Sequence, residues 1–195
     1  MKPALRVYVL VALLGLGACQ PGKPAFRATD ITGAELGRDF ALPDHTGKPR
    51  TLADFRGRVV VMFFGFTHCP DVCPTTLAEL AAAVKMLGTD ADKVQVLLVT
   101  VDPERDTPQV LSQYVTAFNP HFLALRGTAE ETARVAKEFK IIYQKVDGTR
   151  PGSYTMDHSA GTFIFDRQGR LRLLVSNGQG AEVFAHDIGL LLKQS

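Results

Sequence analysis

The segment from Arg58 to Phe66, a continuous run of mainly β-branched and aromatic residues after its initial arginine, constrains the fold more than any other feature. A strand with one face in water alternates apolar and polar residues, so an unbroken run indicates a strand buried on both faces. Val94 to Val101 is similar, with only Gln95 and Thr100 as polar residues. Between the two segments, Thr75 to Leu87 carries apolar residues at helical spacing. Buried strands that alternate with helices predict an α/β sheet.

The remaining elements are predicted from hydrophobic periodicity together with capping and turn residues. They are a hairpin of 40–42 and 51–52 around a turn at 43–49, helices at 109–118 (after Pro108), 128–139 (with Thr128 and Glu131 as a capping box) and 181–192, and strands at 122–125, 141–146, 162–166 and 171–175. A turn at Gln168-Gly169 predicts that the last two strands are antiparallel. We expect one domain, with a mixed central sheet flanked by helices and an N-terminal hairpin extension.

The start of the chain has the pattern of a lipoprotein signal. Lys2 and Arg6 precede an apolar run at 7–16 that is too short to span a bilayer. The string Leu16-Gly17-Ala18-Cys19 then resembles a bacterial lipobox, in which the signal is cleaved before a cysteine that becomes acylated. An ordinary secretory signal and an uncleaved anchor helix are the alternatives.

These features predict three regions along the chain. Residues 1–18 are the expected signal peptide, 19–34 hold the lipidated Cys19 and a linker containing proline and glycine, and 35–195 form the domain. Several acyl chains together anchor a protein stably, so we expect export and lipid anchoring to the membrane, facing the periplasm or extracytoplasmic space.

The charge balance argues against nucleic acid as a partner. The chain has 22 Lys and Arg against 20 Asp and Glu. Two of the basic residues, Lys2 and Arg6, lie in the predicted signal, which leaves a net charge near zero. Because no basic cluster or aromatic-basic stripe is present in the sequence, nucleic-acid binding is not expected.

With Cys19 assigned to lipid, Cys69 and Cys73 remain as a pair. An oxidising compartment permits a disulfide, but a bridge that closes so short a loop would constrain the unfolded chain little. We therefore expect a chemical rather than a purely structural role. The pair lies between a buried strand and the start of a helix, where helix N-terminal donors and a protonated His68 stabilise thiolates, so lowered pKa values are expected for both thiols.

The spacing of the two cysteines separates two kinds of chemistry. Thiol-disulfide enzymes of the thioredoxin type have two residues between their cysteines, whereas Cys69 and Cys73 have three. In a helix the fourth residue along returns to the same face, so both sulfurs can converge on one ion. Soft sulfur favours Cu(I), and an imidazole would complete a trigonal site that also holds Cu(II). A disulfide can still form at this spacing, so a redox pair remains open.

His158 is the favoured third donor among the five histidines. In a thioredoxin-like arrangement, the loop entering the strand at 162–166 faces the cysteine loop, and His158 lies just before that strand. Asp157 is expected to orient its imidazole. His68 ranks second, because it adjoins Cys69 but is expected to point away from the ion. The other three are expected to be solvated or locally bonded: His45, His121 and His186.

Three strings, in this order, resemble the signature of the SCO/SenC family. They are Phe66-Thr67-His68-Cys69-Pro70-Asp71-Val72-Cys73-Pro74, Val101-Asp102-Pro103-Glu104-Arg105-Asp106-Thr107-Pro108 and Tyr154-Thr155-Met156-Asp157-His158-Ser159. The resemblance extends from about Phe40 to Leu192 and implies a thioredoxin fold. It also implies copper bound by two cysteines and a histidine, which correspond here to Cys69, Cys73 and His158. The lipobox differs from family members that are anchored by a transmembrane helix.

The resemblance further implies a role in assembling the dinuclear copper centre of cytochrome c oxidase. We therefore expect a copper metallochaperone whose partners are the copper-site subunit of the oxidase and a periplasmic copper donor. The alternative is a thiol-disulfide oxidoreductase that reduces the cysteines of that subunit with Cys69 and Cys73 as its catalytic pair. A peroxidase is a third option.

Three other parts of these strings have simpler interpretations. The segment 101–108 is expected to be a structural turn and helix start rather than a region that shapes the site or docks a partner. Met156 is expected to pack, and Asp71 to be a turn residue, since a carboxylate suits Cu(I) poorly.

Overall fold

A six-stranded mixed sheet forms the centre of the computed structural model, which describes residues 25–194. The strands are β1 (Thr29–Asp30), β2 (Ala41–Pro43), β3 (Pro49–Thr51), β4 (Val59–Gly65), β5 (Val94–Thr100), β6 (Leu123–Leu125), β7 (Tyr143–Asp147), β8 (Tyr154–His158), β9 (Gly161–Phe165) and β10 (Leu171–Ser176). The helices are α1 (Val72–Met86), α2 (Pro108–Phe118), α3 (Ala129–Glu138) and α4 (Ala181–Leu192). The predicted signal at 1–18 and Cys19 lie outside the described residues.

The central sheet has the strand order β1-β10-β9-β4-β5-β6. β4, β5 and β6 are parallel, whereas β9, β10 and β1 are added antiparallel. Every residue of β4 and β5 is buried, as their predominantly apolar sequences predict. α1 packs against α4, and Phe139, just after α3, packs its ring against Phe64 and Phe163. The predicted mixed sheet with flanking helices is confirmed, and so is the hairpin extension, which β2 and β3 form.

Local sequence signals also set the helix boundaries. Thr107 caps α2 with Pro108 in its first turn, and Thr128 caps α3 in the predicted capping box with Glu131. Gly88 follows the end of α1 with a φ of 58°, a left-handed conformation that favours glycine. Among residues 25–194, no helix is both long and apolar enough to cross a bilayer.

Helix α1 begins three residues earlier than the predicted Thr75. Cys73 therefore lies inside its first turn, with Pro74 next to it. Proline is tolerated there because the first N–H groups of a helix have no intrahelical acceptor.

Strand β8 was not predicted from the sequence. It pairs antiparallel with β7 to form a two-stranded sheet outside the central one, and Tyr143 lies opposite His158. The side chains of β8 alternate between half-buried and exposed. His158 therefore ends a strand instead of lying in a loop.

The described part of the predicted linker, 25–34, belongs to the folded domain. β1 pairs with β10, and the backbone N–H groups of Arg27 and Ala28 donate to the buried carboxylate of Asp187 in α4. The domain thus includes residues well before the expected start at 35. This part of the domain was not predictable from sequence, because a two-residue strand has no measurable periodicity.

Candidate metal centre

The cysteine-bearing segment connects the end of β4 to the first turn of α1. The backbone N–H of Cys73 donates to the Cys69 sulfur, at a distance of 3.4 Å. Since the first N–H groups of a helix lack intrahelical acceptors, the Cys69 sulfur takes the place of a capping group. Both cysteines are free thiols; Cys69 is half-buried and Cys73 is buried.

Cys73 is only 1% exposed. It lies against Gly65 of β4, and the Phe66 backbone N–H donates to its sulfur. Burial raises the pKa of the Cys73 thiol, because it removes water from the thiolate, and the neighbouring Cys69 adds to the effect. The expectation of a lowered pKa is therefore wrong for Cys73. The raised pKa favours the neutral thiol, and a bound cation would supply the charge that stabilises its thiolate.

His158 faces the Cys73 sulfur from the end of β8. Its Nε2 lies 3.8 Å from the Cys73 Sγ, and its ring packs edge-to-face against Phe66. Its Nδ1 lies 3.0 Å from the backbone carbonyl oxygen of Ser159. When Nδ1–H donates to that carbonyl, Nε2 keeps its lone pair for the side that faces the sulfur.

The expected orienting role of Asp157 is not observed. Successive side chains of a strand point to opposite faces, and Asp157 is exposed on the face opposite His158. The Ser159 carbonyl provides the hydrogen bond instead. A backbone acceptor of this kind has no signature in a sequence.

The other candidate histidines lie away from the Cys73–His158 pair. His68 is exposed, and its Nδ1 lies 3.1 Å from the Thr67 hydroxyl. The His45 imidazole accepts from the backbone N–H of Ala124, the His186 imidazole pairs with the adjacent Asp187 carboxylate, and the backbone N–H of His121 donates to the Asn119 side chain. Met156 is half-buried and packs against the core, and Asp71 precedes α1 and accepts from the Thr75 hydroxyl.

The three predicted site residues are neighbours without forming a closed chelate. Within 25–194, no three His, Cys, Asp or Glu side chains stand together as a ready metal site. Cys73 and His158 are in contact, and the Cys69 thiol is hydrogen-bonded to the Cys73 thiol. Cys69 and His158 both line a surface cavity of about 160 Å³, which Met156 also lines. The cavity gives Cys69 and His158 access to solvent.

Asp106 is a site-shaping residue that sequence reasoning assigned only to a turn. Its buried carboxylate accepts hydrogen bonds from the hydroxyl of Thr100 and from both the backbone N–H and the hydroxyl of Thr67. Thr67 lies two residues before Cys69, so Asp106 fixes the start of the cysteine segment. Burial raises the pKa of the Asp106 carboxyl, while its hydrogen bonds oppose that effect.

Comparisons with known proteins cover almost all of the described chain. A family model described as SCO1/SenC matches residues 28–193. The mitochondrial SCO2 homologue of Bos taurus is 37% identical over 194 residues, which cover 92% of this chain and 73% of the relative.

Solved structures agree with the fold. The copper-bound structure of Bradyrhizobium japonicum ScoI is 40% identical with a TM-score of 0.72, covering 82% of this chain and 100% of that chain. The solution structure of apo Sco1 from Thermus thermophilus is 41% identical with a TM-score of 0.77, covering 88% of this chain and 100% of that chain. These neighbours confirm the thioredoxin-like arrangement of the mixed sheet and its helices.

Proposed function

The chain belongs to the SCO1/SenC family, and we propose that it is a metallochaperone that binds one copper ion through Cys69, Cys73 and His158. We further propose that it delivers this ion to the dinuclear copper site of cytochrome c oxidase. The approach of the His158 Nε2 to within 3.8 Å of the Cys73 sulfur carries the proposal. Copper in the similar ScoI structure supports the choice of metal.

The separation of the two atoms suits a shared ion. Metal–thiolate bonds of about 2.3 Å and metal–imidazole bonds of about 2.0–2.1 Å, the values known for zinc, place atoms 3.8 Å apart at an angle of roughly 120° around the ion. That is the angle of a three-coordinate site, with Cys69 as the third ligand. Two thiolates and an imidazole form a soft donor set, which favours copper over hard cations.

The unequal burial of the two cysteines suggests an order for copper transfer. Cys73 and His158 hold the ion from the protein side, while the half-buried Cys69 lines the surface cavity. A thiol of the receiving protein would enter this cavity and exchange with Cys69 first. Copper then passes to the partner as its remaining bonds to Cys73 and His158 are replaced.

Membrane anchoring through Cys19 would keep the domain close to its target. From Cys19 to Arg27, whose N–H is bound to Asp187, the chain reaches at most about 30 Å when fully extended. We propose that the lipidated chain faces the periplasm or extracytoplasmic space, where the copper-site subunit of the oxidase and a periplasmic copper donor would be its partners.

Replacing His158 by alanine is expected to lower the Cu(I) affinity roughly 100-fold. Structural four-ligand zinc sites bind with about 10–16 kcal/mol, so one ligand contributes about 2.5–4 kcal/mol on average. When a neutral imidazole is removed, a water ligand recovers part of this free energy. Competition with a Cu(I) chelator, without oxygen and with reduced full-length chain in mild detergent, measures the change. His68→Ala is the matched control and should bind as the unaltered chain does. Equal affinities in the two variants would remove His158 from the site.

Copper binding is expected to release at least one proton. The raised pKa keeps the Cys73 thiol protonated at neutral pH, and only the thiolate is a ligand, so binding must displace that proton. Affinity should therefore rise with pH below the thiol pKa, by up to about tenfold per pH unit for each proton released. A pH indicator in weakly buffered solution reports the release when Cu(I) is added as its acetonitrile complex. Cys73→Ser should release less, and an unchanged pH with the unaltered chain would contradict the prediction.

A thiol-disulfide oxidoreductase is the second candidate function, because two free thiols lie within hydrogen-bonding distance and one of them reaches the surface. Cys69 would attack a partner disulfide, and Cys73 would resolve the mixed disulfide. Catalytic disulfide reduction that survives both His158→Ala and a copper chelator would favour this function over metal delivery.

A further inference from the structure

A set of contacts joins the segment after β5 to the start of β8. The Arg105 guanidinium pairs with the Asp102 carboxylate and donates from Nη1 to the Tyr154 carbonyl oxygen, at a distance of 2.9 Å. Its Cζ lies 3.6 Å from the centre of the Tyr154 ring. The Tyr154 hydroxyl donates a hydrogen bond to the other carboxylate oxygen of Asp102, at a distance of 2.9 Å. Arg105 thus holds both the backbone and the ring of Tyr154.

These contacts are shielded from water. The Asp102 side chain is 3% exposed and that of Arg105 is 24% exposed. A guanidinium that is stacked on a ring and donates from Nε and Nη1 to two different acceptors has stronger interactions in such a setting than an exposed ion pair, and lysine cannot reproduce its geometry. By contrast, Lys145 lies 3.9 Å from the same ring, but it belongs to an exposed pair with Glu104.

The β7–β8 hairpin depends on such contacts for its position. It forms a two-stranded sheet outside the central one, and all residues of its two strands are exposed or half-buried. A two-stranded hairpin is only marginally stable by itself. Tyr154 and His158 begin and end β8 and, four residues apart, lie on the same face of the strand.

We propose that Arg105 is a positioning residue that holds His158 over the Cys73 sulfur by clamping Tyr154. With Asp106 fixing the cysteine segment, two adjacent residues of one loop position the two halves of the site. This inference rests on the proposed function, because it needs His158 to be a copper ligand.

Amide hydrogen exchange of the metal-free, full-length chain tests the clamp without copper. Arg105→Ala is expected to speed exchange at the cross-strand amides of β7 and β8 at least tenfold and to leave those of β4 and β5 unchanged. Tyr154→Leu should do the same while preserving the Arg105–Asp102 pair, which covers the case that Arg105→Ala folds poorly. Lys145→Ala, which removes the exposed cation from the same ring, should change exchange less than twofold.

A double-mutant cycle tests the link to His158. Arg105→Ala is expected to lower the Cu(I) affinity about tenfold in the unaltered chain and less than twofold in the His158→Ala background, because the imidazole that it positions is then absent. An undiminished loss in that background, or unchanged exchange in the hairpin of both clamp variants, would overturn the inference. If His158→Ala alone left the affinity unchanged, the proposed ligand set would fail, whereas the exchange data would still report on the clamp.

Discussion

Replacing Cys73 by serine is expected to lower the Cu(I) affinity of this chain about 1,000-fold or more. The substitution removes a soft anionic ligand and leaves a hard hydroxyl, which binds Cu(I) poorly. An average ligand contributes about 2.5–4 kcal/mol. A thiolate also supplies negative charge and is expected at the upper end of this range, which corresponds to roughly 1,000-fold in affinity. The buried Cys73 lies on the protein side of the site, so a solvent ligand cannot easily replace it. Anaerobic competition with a Cu(I) chelator measures the affinity.

Met156→Leu is the matched control for this experiment. Met156 lines the same surface cavity as Cys69 and His158, and leucine conserves its volume while removing the thioether. If copper is held by two thiolates and an imidazole, the Met156 variant should retain the affinity of the unaltered chain. A large loss in Met156→Leu together with a small loss in Cys73→Ser would show that the ligand set is wrong.

The central elements were predictable because their signals are local. The buried runs of β4 and β5, the capping box of α3 and the proline that opens α2 each lie within a few residues of the element that they define. The β7–β8 hairpin was predicted only in part. β8 is short, its residues alternate between half-buried and exposed, and it ends three residues before the next strand begins, so it resembles a loop.

The candidate site was predictable in its residue types but not in its environment. The position of Cys73 near a helix start suggested a stabilised thiolate, yet its burial raises the pKa. Depth of burial depends on packing between distant segments, and no local pattern encodes it. For the same reason the contacts from Asp106 to Thr67 and from Arg105 to Tyr154 could not be read from the sequence, since they join segments 39 and 49 residues apart.

Gly65→Ala is expected to damage the copper site without removing a ligand. A Cβ at this position would lie 2.7 Å from the Cys73 sulfur, which is closer than real contacts allow. The same Cβ would lie 3.2 Å from the Phe63 side chain and 3.3 Å from the Leu98 side chain, so it has no free side toward which to move. Because Cys73 is fixed in the first turn of α1, its sulfur must move away from β4, which changes its approach to His158. Overpacking of a core costs about 1–3 kcal/mol. We expect stability to fall by that amount and the Cu(I) affinity to fall roughly tenfold or more, since site geometry must be held within about 0.5 Å.

Gly189→Ala separates this local effect from the general effect of adding a methyl group. In α4, a Cβ at Gly189 would meet only the Leu87 side chain, at an ordinary 3.8 Å. Alanine in a helix interior should raise stability by about 0.5–1 kcal/mol and leave the Cu(I) affinity unchanged. Thermal unfolding of the metal-free variants and Cu(I) competition of the same samples provide both quantities. If Gly65→Ala bound Cu(I) as tightly as Gly189→Ala does, the sulfur position would not depend on Gly65, and the glycine before the cysteine segment would serve only the packing of β4.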